Sequence, residues 1–158
     1  MPTVSPEWTY ALRLPHDPRA PRIARTTLRA VLGSHAMAGL RETAELLMSE
    51  MVTNAYRHTD GPSAVRLHGL PGGRLRVAVW DTDPTVPAPF DRPPCPAGRE
   101  AARGIPEAAE DAESGRGLHI VRVCANDWGG WRLGGGSLVR GKLLWVEVAR
   151  NSGFTMAA

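Results

Sequence analysis

Glu50, Asn54 and His58 recur every four residues within Ser-Glu-Met-Val-Thr-Asn-Ala-Tyr-Arg-His, positions 49–58. On a helix that spacing stacks three polar groups along one edge. A carboxylate one turn from a carboxamide has two uses. The carboxylate can take a proton, and the amide oxygen can ligate a hard cation such as Mg2+. The plainer alternative is a polar helix edge that meets water. Two further stations lie downstream. Asp81 ends an apolar alternation, where its carboxylate can accept a hydrogen bond from the exocyclic amine of a base; an Asp after a strand is also ordinary turn chemistry. Gly115-Arg116-Gly117 precedes an apolar helical pattern, and glycines at a helix start let backbone N–H groups approach phosphates. Each station alone is a weak signal, and their order along one chain is the specific one.

The elements that must hold these groups follow from periodicity. Trp8, Tyr10, Leu12 and Leu14 alternate as a strand that Pro15 ends. Asp17 before Pro18 reads as an N-cap with a first-turn proline, opening a helix to about Leu32 that Gly33 and Ser34 can stop. Gly39 precedes the central helix, which runs to about Arg57 with Leu40, Ala44, Leu47, Met48, Met51 and Ala55 as its apolar stripe. Residues 63–70 and 75–81 alternate around Pro71-Gly72-Gly73 and predict an antiparallel hairpin with one buried face. Residues 82–114 hold seven prolines and no sustained apolar period. They predict a long mobile loop with at most a short helix at 106–112. A helix from Leu118 to Cys124 and strands at 128–133 and 143–148 complete the pattern, and the tail after Arg150 is expected to fray. Trp128, Trp131 and Trp145 read as core or sheet-face residues, and Lys142 as an edge or turn lysine.

At 158 residues the chain is long enough for one domain with a real core. Its net charge of +3 comes from scattered basic residues, with no basic and aromatic cluster in the sequence to suggest a nucleic-acid partner. No apolar run is long enough to span a membrane, and no signal peptide is visible. Cys95 and Cys124 lack metal-ligand spacing and suit a reducing cytoplasm. Strands outnumber what a helical layer could surround. The expected fold class is α+β: a two-layer α/β sandwich, with a mixed, mostly antiparallel sheet and its helices on one face.

These stations resemble the Bergerat-fold (GHKL) ATP-binding family, in particular its branch of small anti-sigma-factor serine/threonine kinases. Residues 50–58 resemble the N-box, and Asp81-Thr82-Asp83 resembles the first glycine box. Gly115-Arg116-Gly117-Leu118-His119-Ile120-Val121 resembles the second. Asp127-Trp128-Gly129 and Gly141-Lys142-x-x-Trp145-x-Glu147 resemble the closing strands. The similarity covers about residues 10–150. It implies a single ATP-binding domain over 1–158 with a lid near 84–114, and the cofactors ATP and Mg2+. It implies that Asn54 ligates Mg2+ and that Glu50 is the general base for an attacking serine hydroxyl or water. Asp81 would hold the adenine amine, while Gly115, Arg116, Gly117 and Leu118 would close over the phosphates. His58 and Asp83 would lie beside the nucleotide, His58 being equally suited to offset the helix dipole.

The chain departs from that pattern. The first-box glycines are replaced by Asp83 and Thr85. The Thr that supports the adenine contact falls on Leu143 when the motifs are laid side by side. The function implied is an ATP-dependent anti-sigma regulatory kinase. It would bind a sigma factor, phosphorylate an antagonist protein, and pair into a homodimer through its N-terminal strand and first helix. The alternative is a non-catalytic docking module that keeps the fold. A kinase of histidine type would need a dimerisation helix carrying a phosphoacceptor His, which the sequence does not show.

Overall fold

The structure, a computed structural model, describes residues 7–92, 113–134 and 140–150, with 113–117 as main chain alone. Five strands alternate in side-chain direction and pair into one sheet: β1 (Trp8–Leu14), β2 (Ser63–Leu70), β3 (Arg74–Asp81), β4 (Asp127–Leu133) and β5 (Gly141–Ala149). Their spatial order is β1-β2-β3-β5-β4. Every neighbouring pair is antiparallel, so the sheet is more uniform than the mixed one expected. Register sets the two faces. Leu75, Val77 and Val79 lie opposite Val148, Val146 and Leu144, and all six are buried. Val65 and Leu67 extend this row across β2. Each pair on this face adds cross-strand packing to the hydrogen-bond ladder.

Three helices cover that face: α1 (Ala20–Ser34), α2 (Arg41–His58), entered through a single 3-10 turn at Ala38–Leu40, and α3 (Glu113–Cys124). The middle helix α2 touches α1, α3, β2, β3 and β5. Its stripe of Ala44, Leu47, Met48, Met51, Val52 and Ala55 is buried as the periodicity requires. Leu28 and Leu32 of α1 and Leu118 and Val121 of α3 meet it in the same core.

Three boundaries differ from the sequence reading. Asp17 caps a turn ahead of α1 rather than the helix itself. Its Oδ1 accepts the Arg19 backbone N–H at 2.8 Å, and its backbone carbonyl accepts the N–H of Ala20 at 3.0 Å. The Arg19 guanidinium on the same carboxyl helps hold its pKa down to about 2. Gly33 and Ser34 remain helical to the last residue of α1, and the left-handed turn past its cap is made by Ala36, whose φ is 57°. There the N–H groups of His35 and Met37 bond back to Val31 and Leu32, satisfying carbonyls at the helix end.

The long loop is also anchored at its start, against the expectation of mobility from residue 84. Phe90 is buried in the core, and the Trp128 indole N–H lies 3.2 Å from the carbonyls of both Pro89 and Arg92. Gly130 leaves room for Val86 and Phe90 against β4. The expected helix at 106–112, Cys95, most of the lid and the tail at 151–158 lie outside the described residues.

Two glycine-type positions give opposite expectations. Ala36→Gly removes a left-handed Cβ and should stabilise the protein by about 1 kcal/mol. A Cβ at Gly141 (φ +124°) would sit 1.8 Å from the Asp81 carbonyl oxygen. Gly141→Ala should therefore cost more than about 3 kcal/mol, as strain of this size does. Urea unfolding of the two variants measures both, and equal stabilities would refute this account of the chain ends.

Candidate functional site

The site elements converge where β3 ends, β5 begins and α2 finishes. On α2, Glu50 and Asn54 are half-buried and His58 is exposed at the helix C-terminus. Glu50 and Asn54 flank the buried stripe of Leu47, Met51 and Ala55, so packing fixes the helix while its polar edge stays accessible. Among the described residues neither side chain is held in an ion pair or side-chain hydrogen bond. Both therefore keep their lone pairs for a proton, a cation or a ligand.

Asp81 closes β3 on the helix-covered face, because it continues the row of Leu75, Val77 and Val79. Its cross-strand partner is Lys142. The lysine is not an edge or turn residue, as the sequence suggested. Its side chain is 1% exposed and that of Asp81 2%. Lys142 Nζ donates to Asp81 Oδ1 at 3.0 Å and to the Asp83 backbone carbonyl at 3.2 Å. The Asp83 carboxylate lies 3.9 Å away, an ion-pair distance. The Asp83 backbone N–H donates to the same Oδ1 at 2.9 Å, so both described hydrogen bonds to the Asp81 carboxylate fall on one oxygen.

Burial pushes the Asp81 carboxyl above its ordinary value of 3.8, against the downward pull of Lys142 and the Asp83 N–H. Asp83 moves the other way. The Thr85 backbone N–H, at 3.0 Å from Asp83 Oδ1, does most to lower it, and the charges of Lys142 and His58 add to this.

The expected role of Leu143 needs correction. It pairs with Trp80 on the face that no described helix covers, so it points away from Asp81. The position that reaches Asp81 is Lys142, one residue earlier, since adjacent strand residues face opposite sides. The side chain paired with Asp81 is thus a buried cation, and Leu143 lies on the opposite face of the sheet. Gly115, Arg116 and Gly117 lie within α3, whose helix starts at Glu113, ahead of the expected start. Leu118 is 3% exposed and its side chain belongs to the core, which leaves only its backbone for a ligand.

The pairing of Asp81 with Lys142 has measurable consequences. Folded Asp81 titrates above its unfolded value, so protonation favours the folded state. That contribution is full below about 3.8 and is lost as pH rises through the folded value. The Asp81 carboxyl carbon, followed by NMR, should titrate above 3.8, and higher still in Lys142→Met. That variant leaves a buried charge without its partner and should lose about 3–5 kcal/mol in urea unfolding. An unchanged Asp81 titration in Lys142→Met would show that the pair is not formed.

These elements and their order are matched beyond this chain. The histidine kinase-like ATPase domain matches residues 14–140. An uncharacterized protein of Streptomyces coelicolor is 38% identical over 84 residues, covering 52% of this chain and 67% of that one. With the match running from the end of β1 to the threshold of β5, the chain belongs to the histidine kinase-like ATPase domain family.

Proposed function

We propose that this protein binds Mg-ATP between α2, β3 and the start of α3, and transfers the γ-phosphoryl group to a serine or threonine of a partner protein. The observation that carries the reading is the pair Glu50 and Asn54. They are half-buried, one helical turn apart and without described partners, on the helix that also packs against β3 and β5. ATP would supply the phosphoryl group. Among the described residues no group of three or more His, Cys, Asp or Glu could hold a metal. Asn54 would therefore share Mg2+ with phosphate oxygens, as Mg2+ sites built from one or two protein ligands do. Glu50 would take the proton from the attacking hydroxyl. Asp81 would accept a hydrogen bond from the adenine amine. First-turn backbone N–H groups of α3, from Glu113 to Gly115, would face the phosphates, while the Gly117 N–H is already used within the helix.

The partners proposed are a sigma factor and an antagonist protein that receives the phosphate. A phosphate on the antagonist adds about −1.5 to −2 charge at its docking surface, enough to release it. A second reading, a docking module without catalysis, is favoured by one observation: Lys142 already bonds the carboxylate that would read the base.

Calorimetry separates the two. For the kinase, ATP binds with Mg2+, and Asn54→Ala loses the Mg2+-dependent part. Glu50→Ala keeps binding but lowers phosphoryl transfer to the partner by about 10²–10⁴-fold, the usual worth of a general base. Transfer that survives Glu50→Ala unchanged would remove Glu50 from the mechanism. Absence of binding at millimolar ATP would leave only the docking module.

A further inference from the structure

We propose that the sheet face turned away from α1, α2 and α3 is a docking surface for a partner protein, and that it takes an acidic amphipathic helix. The inference does not depend on the nucleotide reading, because the residues involved lie on the face opposite Asp81.

An antiparallel sheet with one solvated face carries apolar residues inward and polar ones outward. One outward row breaks that rule. Register sets Arg13 of β1, Ala64 of β2, Trp80 of β3, Leu143 of β5 and Trp131 of β4 side by side across the whole sheet. All but the arginine are apolar. Ala64, Trp80 and Leu143 are half-buried and Trp131 is 53% exposed, with no described helix over them. At the usual strand spacing this row is about 19 Å long. An apolar row of that length on an otherwise wet face marks an interaction site.

The β1 end of the row is positive. Arg66 lies two residues along β2 from Ala64, which pairs with Arg13, so the two arginines are diagonal neighbours on this face. Their backbones are about 7–8 Å apart, close enough for like charges to repel. Both are exposed, and neither has an ion pair or hydrogen bond among the described residues. The face holds two carboxylates of its own, and both are engaged. Glu147 takes Arg74 and Arg76, and Asp127 Oδ1 takes the Trp128 N–H. Arg13 and Arg66 are therefore left to a carboxylate from outside the described residues, which a guanidinium meets in bidentate geometry.

Charge and shape together favour a helix. A helix of about 13 residues spans the row at 1.5 Å per residue. Its apolar side would rest on Ala64, Trp80, Leu143 and Trp131. Carboxylates three or four residues apart on one edge stand about 5–6 Å from each other and can meet both guanidiniums. A nucleic acid fits less well, since it needs open rings beside its phosphate contacts. Trp131 is the open ring and sits at the far end of the row from Arg13, while Trp145 is covered by Arg76. A second copy of the chain also fits less well, because the two carboxylates it would bring on this face are already engaged.

The probe is a synthetic helix of about 16 residues, with Leu and Ala on one face and Glu along one edge. A twin carries Lys in place of every Glu, and a thymidine oligonucleotide represents nucleic acid. Binding to the full chain is followed through the Trp131 indole N–H signal in NMR. The Glu helix should shift that signal and bind at least about tenfold more tightly than its Lys twin, the more so at low salt. Arg13→Gln combined with Arg66→Gln should weaken it about tenfold, the worth of two exposed ion pairs, with the circular dichroism spectrum unchanged. Equal binding of the two helices, no shift of Trp131 with either, or full affinity in the double variant overturns the inference. Tighter binding of the oligonucleotide, lost in the double variant, gives the face to nucleic acid instead. Sedimentation of the wild type as a dimer that Trp131→Asp dissociates gives it to a second copy. Either of these results also overturns the proposal.

Discussion

One oxygen organises the functional end of the sheet. Asp81 Oδ1 receives Lys142 from β5 and the Asp83 N–H from the turn beyond β3. The last residue of β3 and the first residues of β5 are thereby tied to the same atom. Gly141 makes the approach possible, since any side chain there would meet the Asp81 carbonyl. Taking two charges out of water costs several kcal/mol each, which their attraction returns only with good geometry and further hydrogen bonds. The additional bond from Lys142 to the Asp83 carbonyl supplies such a contact. A hydrophobic pair would hold two strands together as well, so stability alone does not explain a buried cation here.

The helix that carries Glu50 and Asn54 is also the centre of the core. α2 packs Leu47, Met48, Met51 and Val52 against the sheet and both neighbouring helices, and these residues alternate along the chain with Glu50 and Asn54. Close-packed interiors deform little, so the polar edge of such a helix is held in place by the apolar one. Ion pairing at its outer side, where Arg29 and Arg41 both reach Glu45, joins α2 to α1 and braces its own first turns.

Much of this was legible in the residues. Period two in β1, β2 and β3 and period 3.6 in α2 gave those elements within a residue or two, because one face of each is wet and the other dry. The stations Glu50, Asn54 and Asp81 could be picked out because their types are costly to bury and their spacing suits chemistry. The parity of β5 could not be. Leu143, Leu144, Trp145 and Val146 are apolar in succession, so no alternation says which face each one takes. Only pairing with β3 decides that Lys142 looks inward and Leu143 outward. The anchoring of residues 86–90 was hidden for a related reason: one Phe and one indole N–H hold that segment, and neither makes a period. The stop of α1 was misplaced because Gly33 is the expected breaker, while the turn is made by an alanine held in a left-handed conformation by backbone bonds.

The sheet's other face shows how a two-layer fold survives with one side uncovered by any described helix. The register brings Trp80, Trp131 and Trp145 together there, although they are scattered in the sequence. Trp145 lies over Gly129, where a Cβ would come within 2.7 Å of the indole, and Arg76 sits 4.6 Å from the ring centre on the same side chain. Arg76 and Arg74 both pair with Glu147, a carboxylate only 10% exposed. The Trp145 ring is therefore roofed by the Arg76 guanidinium, and Arg74 and Arg76 share one carboxylate on β5. Water meets a charged, hydrogen-bonded layer over much of β3 and β5, with Trp131, 53% exposed, as the principal ring left open. An Arg stem covers apolar surface while its head stays wet, so these side chains shield the rings on a face that no described helix covers. That frees the three helices to gather on the side where Asp81, Lys142 and the polar edge of α2 meet.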